Sequence, residues 1–215
     1  RSTLTSITIP ETIETIGNYA FYDCTYLTEI NYNATAVSDL SQNNQVFGNV
    51  GQNGEGTTVN IGTNVTKLPS HIFSPSNGRF DSPNIVAVNF VDDCQLSSIG
   101  SSAFYLCSSL TSITIPEKVT SIGSFAFRDC AALIEINYNA TNANDLSSQN
   151  NAFSSVGQDG AGITLNIGIN VTRLPSYIFY NSSKITTVNF AKDSVCTSIG
   201  DRAFQGCTGL TSITI

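Results

Sequence analysis

Methionine and tryptophan are absent from these 215 residues, and charge is scarce: 9 Lys or Arg, 16 Asp or Glu and one histidine, a net −7. Each shortage excludes something. Without methionine the chain does not begin at a start codon, so a fragment of a longer protein is expected. Nine basic residues with no basic stripe disfavour nucleic acid as a partner, because phosphate binding needs clustered Lys and Arg. No apolar run reaches 18 residues, so no membrane span is expected in this fragment. One histidine, His71, and no C-x-x-C leave no zinc set, so no metal site is expected. No G-x-S-x-G, H-E-x-x-H or Walker-type loop occurs, so the chain is expected to be no enzyme and to need no cofactor. His71 is replaced by Tyr177 at the equivalent place further on, which argues against a catalytic role. The glycine-rich loops Gly51–Gly56 and Gly157–Gly162 carry too few carboxylates for calcium and read as tight polar turns.

What the chain does have is repetition. The string LTSITI starts at Leu4, Leu110 and Leu210. Leu4–Tyr26 and Leu110–Ala132 share the pattern L-x-x-I-x-I-P-x-x-[IV]-x-x-I-G-x-x-A-F-x-x-C. Weaker units start at Leu27, Gly56, Ile85, Leu133, Gly162 and Ile185. One phenylalanine marks each unit: Phe21, Phe47, Phe73, Phe104, Phe127, Phe153, Phe179 and Phe204. Unit lengths of 23, 29, 29 and 25 residues are followed by 23, 29, 23 and 25, so four units form a superunit present twice. A six-residue excess falls between Phe73 and Ile85 and predicts a surface loop over Pro75–Asn84, with Phe80 as a candidate contact. A period in this range means stacked units, none able to bury its apolar face alone. Residues 1–215 are therefore expected to form a single solenoid of about eight repeats.

Within a unit, the β-branched alternation of LTSITI predicts a half-buried strand. Pro10 and Pro116 end its ladder. A second extended piece closes on Gly17, Gly100, Gly123 or Gly200, read as turn glycines. The A-F-x-x-C-x-x-L stretch predicts one or two helical turns. Stacking superposes like residues about 4.8 Å apart, so the phenylalanines should form a spine.

The eight A-F-x-x-C-like segments and the I-P…I-G frame resemble the BspA-like family of bacterial and protozoan surface leucine-rich repeats. The Leu27 and Leu133 units depart from it, with Asn31-Tyr32 and Asn137-Tyr138 in place of I-P. The resemblance implies a right-handed, curved, mainly parallel β solenoid with a sheet on its concave face and short helical turns outside. It implies cell-surface or secreted placement, adhesion or ligand binding, and no enzymatic activity.

Cys24, Cys107, Cys130 and Cys207 share one repeat position, filled elsewhere by Val50, Ser76, Val156 and Ser182, which reads as a buried free thiol in a core slot. A Cys107–Cys130 bridge stays open as an alternative for an oxidising compartment. Neither chain end has the polar unit that caps natural solenoids, again consistent with a piece of a longer array. Five N-x-[ST] sequons, at Asn33, Asn64, Asn139, Asn170 and Asn181, are explained mostly by repeat inheritance.

The outward strand positions form the candidate site. Between the two inward apolar residues stand Thr8, Asn31, Asn60 and Asn89, then Thr114, Asn137, Asn166 and Asn189. The neighbouring outward column is also short, polar and almost uncharged. Stacked carboxamides can bond one another into a ladder that protects register. They can also bind: Asn31, Asn60, Asn89, Asn137, Asn166 and Asn189, with Tyr32 and Tyr138 at the edge, suit a glycan or an extended peptide. The two readings are compatible. The expected function is a monomeric cell-surface interaction or adhesion module that binds an extracellular protein or glycan through its concave face or loops. The alternative is a passive stalk that presents other domains.

Overall fold

The computed structural model describes residues 3–75 and 81–214. Ser76 and Phe80, singled out above, lie outside the described residues. In chain order the strands are β1 (Ser6–Ile9), β2 (Glu29–Tyr32), β3 (Thr57–Ile61), β4 (Lys67–Leu68), β5 (Ile85–Phe90), β6 (Ser98–Ile99), β7 (Ser112–Ile115), β8 (Ser121–Ile122), β9 (Glu135–Tyr138), β10 (Ile163–Ile167), β11 (Arg173–Leu174), β12 (Ile185–Phe190), β13 (Ser198–Ile199) and β14 (Ser212–Thr214). All pair in parallel, coil upon coil, as a β-solenoid of about eight turns. The longer strands make two main sheets, β1-β2-β3-β5 and β7-β9-β10-β12-β14. The two-residue strands make side sheets, β4-β6-β8 and β11-β13.

Register follows the repeat. Ile7 pairs with Ile30, Ile30 with Val59 and Val59 with Val88, so each inward residue lies over its equivalent. The alternation of β2 and β9 is half-buried then buried along Glu-Ile-Asn-Tyr. Inward residues such as Ile30, Val59, Ile136 and Leu165 have no exposed surface, and one core runs the length of the molecule.

The phenylalanine spine is continuous. Successive ring centroids from Phe21 to Phe204 lie 5.0 to 5.7 Å apart, and all the steps are stacked except the tilted Phe153–Phe179 pair. Phe47, Phe73, Phe104, Phe127, Phe153 and Phe179 are buried.

The expected helical turns are absent among the described residues; the spine side is built of tight turns. Positive φ explains this. Tyr19 and Asp23 flank Phe21 at φ 60° and 59°, and Phe125 and Asp129 flank Phe127 at φ 60° for both. The same pair recurs around Phe47, Phe104, Phe153 and Phe179. A left-handed residue cannot propagate a right-handed helix. The backbone instead alternates its bonds. Phe104 N–H goes to Ala126 O of the next coil at 2.8 Å, whereas Tyr105 N–H returns to Ser102 O at 3.2 Å. Inter-coil bonding therefore continues around the turn side, where a helix would have consumed its own donors.

The I-G glycines are also not turn residues in the sense expected. A Cβ on Gly100, Gly123 or Gly200 would stand 2.4, 2.3 or 2.4 Å from the backbone nitrogen of Ser70, Ser101 or Ser176 in the preceding coil. Their backbone is unremarkable; it is close approach that requires glycine.

The cysteines are free. Cys107, Cys130 and Cys207 each donate Sγ–H to the spine carbonyl below, Phe73, Phe104 and Phe179 O, at 3.5, 3.3 and 3.2 Å. Ser182, at the same repeat position, does this to Phe153 O at 2.8 Å. The slot therefore selects for a small donor as well as for volume. Burial raises all three thiols, Cys207 to about 11.

In the Leu27 and Leu133 units an acidic side chain ties the longer loop to the next coil. Asp39 accepts from Ser70 N–H and Lys67 Nζ, both at 2.7 Å. Asp145 accepts from Ser176 N–H at 2.7 Å and pairs with Arg173.

Candidate functional site

Period-two alternation sends Asn31, Asn60 and Asn89 outward from consecutive strands, and parallel register aligns them: Asn31 pairs with Asn60 and Asn60 with Asn89. Their carboxamides bond in series. Asn60 Nδ2 donates to Asn31 Oδ1 at 2.9 Å, and Asn89 Nδ2 donates to Asn60 Oδ1 at 3.0 Å. The second superunit repeats this. Asn166 Nδ2 donates to Asn137 Oδ1 at 2.9 Å, and Asn189 Nδ2 donates to Asn166 Oδ1 at 3.1 Å. Five of the six asparagines are half-buried, and Asn89 is exposed.

Two glutamates, seen in sequence only as members of the neighbouring column, anchor the ladders. Asn60 Nδ2 also donates to Glu29 Oε1 at 3.1 Å, and Asn166 Nδ2 to Glu135 Oε1 at 2.9 Å. The signal was available: Glu29 and Glu135 stand two residues before Asn31 and Asn137, on the same strand face. With both bonds made, the central amides are held in one orientation. Each ladder then offers carboxamides at the inter-strand repeat of about 4.8 Å.

Tyr32 and Tyr138 are not part of this face, which corrects their placement at its edge. Tyr32 pairs with Ile9 and Ile61, and Tyr138 with Ile115 and Ile167, so both occupy an inward position and are wholly buried. Their rings meet Phe73 and Phe179 edge-on at 6.4 and 5.9 Å. Among the described residues neither hydroxyl has a hydrogen-bond partner, and burial pushes both phenols far up.

Beside the second ladder lies a shallow groove of about 220 Å³, bordered by Asn137, Asn139, Asn166, Gly168, Asn189 and Phe190. Asn139, a sequon residue, lies against Gly168: a Cβ there would come 2.3 Å from its Oδ1. A second cavity of about 320 Å³ lies under the loop of the long unit, between Ser121, Asp145 and Asn150. Asn150 Nδ2 donates to Ile122 O at 3.0 Å there, while its Oδ1 is buried without a partner among the described residues.

His71 is half-buried, its Nδ1 3.3 Å from Ser74 Oγ, and burial lowers its pKa. Among the described residues no three His, Cys, Asp or Glu side chains gather where they could hold a metal ion. Among the same residues no helix is long and apolar enough to cross a membrane.

The family described as BspA type leucine rich repeat region (6 copies) matches residues 1–79 and 76–211. No curated protein matches the chain. Three solved structures are similar at low identity. A leucine-rich repeat protein from Eubacterium ventriosum is 17% identical, with 95% of this chain and 77% of that one covered and a TM-score of 0.50. A leucine rich cell surface protein from Faecalibacterium prausnitzii is 21% identical, covering 99% and 73%, with a TM-score of 0.43. The pneumococcal vaccine antigen PcpA is 18% identical, covering 98% and 60%, with a TM-score of 0.37.

Proposed function

Because the chain belongs to the BspA-type leucine-rich repeat family, we propose that it is a cell-surface recognition module that binds an extracellular protein or glycan through its strand face. The observation that carries this reading is the duplicated asparagine ladder with the groove beside it. The ladder spends only part of each carboxamide's capacity. An asparagine has two N–H donors and an acceptor with two lone pairs. A partner that approaches the face meets these groups already ordered, which lowers the entropy lost on binding. The face is nearly uncharged, so it suits neutral amides and hydroxyls. Surface placement and the absence of enzymatic activity come with the family resemblance and belong to the same proposal.

Mutual satisfaction of the amides favours a second reading, a stalk in which the ladders serve register alone. One experiment separates the two. The chain and its Asn60→Ser/Asn89→Ser/Asn166→Ser variant are applied to an array of neutral glycans and extracellular matrix proteins, with circular dichroism and thermal unfolding in parallel. Saturable binding that falls at least about tenfold in a folded variant supports recognition by this face. Absence of saturable binding across the array, or binding unchanged in the folded variant, overturns it.

A further inference from the structure

Among the described residues each main strand pairs with the strand of the next coil except at one junction. β5 and β7 are adjacent but share no ladder, and the main sheet divides there. The two end rungs show why. Elsewhere the residue just after the strand closes the ladder: Asn33 N–H to Ile9 O at 2.9 Å, Gly62 N–H to Tyr32 O at 2.9 Å, Asn139 N–H to Ile115 O at 3.0 Å and Gly168 N–H to Tyr138 O at 2.9 Å. At the β5/β7 junction that position is Pro116, which has no N–H for Phe90 O. The opening rung is also missing. Ile134 N–H reaches Thr111 O at 2.9 Å and Thr211 N–H reaches Thr186 O at 2.9 Å, whereas Thr111 N–H has no backbone partner among the described residues.

The β12/β14 junction has the same repeat phase and is paired. There hydroxyls support the backbone: Thr211 Oγ1 donates to Thr186 O at 3.0 Å, and Ser212 Oγ to Thr187 Oγ1 at 3.4 Å. At β5/β7 the equivalent of Thr187 is Ala87, which has no hydroxyl for Ser112 to meet. Exposure agrees. Val88 is 8% exposed against 0% for Val188, and Val91 beyond it is 41% exposed.

Every other connection crosses this junction intact. In the side sheet β6 pairs with β8, with Thr120 N–H on Ser97 O and Gly123 N–H on Ile99 O, both at 2.8 Å. On the turn side Ser102, Phe104 and Leu106 N–H reach Ser124, Ala126 and Arg128 O at 2.8 to 3.0 Å. Phe104 and Phe127 stack at 5.3 Å and 6°.

We infer that the junction between β5 and β7 is a hinge of the solenoid, whose axis is the phenylalanine spine with the side sheet and whose mouth opens on the strand face. A solenoid's stability is a sum of nearest-neighbour interface terms, so the junction that, among the described residues, lacks its main-sheet ladder opens first on the strand face. The hinge divides the strand face between its two asparagine ladders: the Asn31–Asn89 and Asn137–Asn189 tracts tilt relative to each other, each keeping its internal bonds. The inference stands whether or not those tracts bind a partner.

Backbone hydrogen exchange on the whole chain, resolved by segment, tests it. The hinge predicts that, within 111–115, the amides of Thr111, Ser112 and Thr114, which face β5, exchange at least about tenfold faster than those of Ile134, Glu135 and Asn137, their equivalents in 134–138 one coil on, while 102–107, whose N–H groups cross the junction on the turn side, remain as protected as 125–130. Ala87→Thr restores a hydroxyl facing Ser112, and Pro116→Ala restores an N–H for Phe90 O. Either should slow exchange in 111–115 and leave 134–138 unchanged. Proline removal also loosens the unfolded chain, so extra protection in that variant would run against its entropic effect. Equal protection of 111–115 and 134–138 in the unaltered chain overturns the inference. So does fast exchange that extends through 102–107, which would mean that the turn side opens as well, or protection unmoved in both variants.

Discussion

A Cβ placed on Gly123 would stand 2.3 Å from the backbone nitrogen of Ser101 in the coil beneath, closer than two such atoms can approach. Gly17 holds the same repeat position in the first coil and has nothing within 4 Å. The two glycines separate a stacking requirement from a local one. Gly123→Ala should destabilise by about 1–3 kcal/mol, the range of overpacked cores, because the obstacle is backbone that cannot swing aside. Gly17→Ala should leave stability within about 0.5 kcal/mol, or raise it slightly through the unfolded chain. Urea unfolding of the two variants beside the parent checks this. Equal costs would show that a local conformational need, common to both positions, selects glycine.

Tyr138 carries a hydroxyl into the core where no described residue bonds it. An unsatisfied buried hydroxyl costs free energy, so Tyr138→Phe should stabilise the chain by about 1 kcal/mol, and Tyr32→Phe by a similar amount. Binding at the strand face should be unaffected by either change, since both rings lie behind the sheet. A loss of stability on thermal unfolding would mean that the hydroxyl has a partner, such as an internal water.

Asp39 and Asp145 set a pH dependence. The Ser176 N–H bond, assisted by Arg173, holds Asp145 below the ordinary carboxylate value of 3.8 against a desolvation that raises it. For Asp39 burial is the largest influence and raises it, but Lys67 and Ser70 together overcome it and the net shift is downward. A carboxylate whose folded pKa is depressed contributes stability that is present above its unfolded value and lost as pH falls through the folded one. Thermal midpoints should therefore fall more steeply in the parent than in Asp39→Asn/Asp145→Asn as pH drops from about 5 to about 2. The variant should be the less stable at neutral pH, and the two should converge in acid. Parallel curves would show that these loop anchors contribute nothing to the folded state.

Much of this was legible in the chain. The period of LTSITI and of the phenylalanines named a solenoid, and the strand alternation placed Asn31 through Asn189 in one outward column, because register in stacked units is a property of spacing. Tyr32 and Tyr138 share strand parity with Ile9 and Ile115, so the period of two points them inward and away from the asparagine column. The tight turns of the spine side were not legible. Apolar residues three apart suit a helix and a stack of tight turns equally, and only the positive φ of residues such as Tyr19 and Asp23 separates them.

The sequence by itself determined the repeat, the inward and outward faces and the identity of the spine, all of which follow from one-dimensional periodicity. Tertiary structure alone decided what lies between coils. It showed that Gly123 is glycine because of Ser101, that Cys130 faces the carbonyl of Phe104, that Glu135 steadies Asn166, and that Pro116 leaves Phe90 without a rung. These relationships join residues about 22 to 31 positions apart in the chain. Local propensity and spacing act over a few residues, and contacts of this range exist only once the coils have stacked.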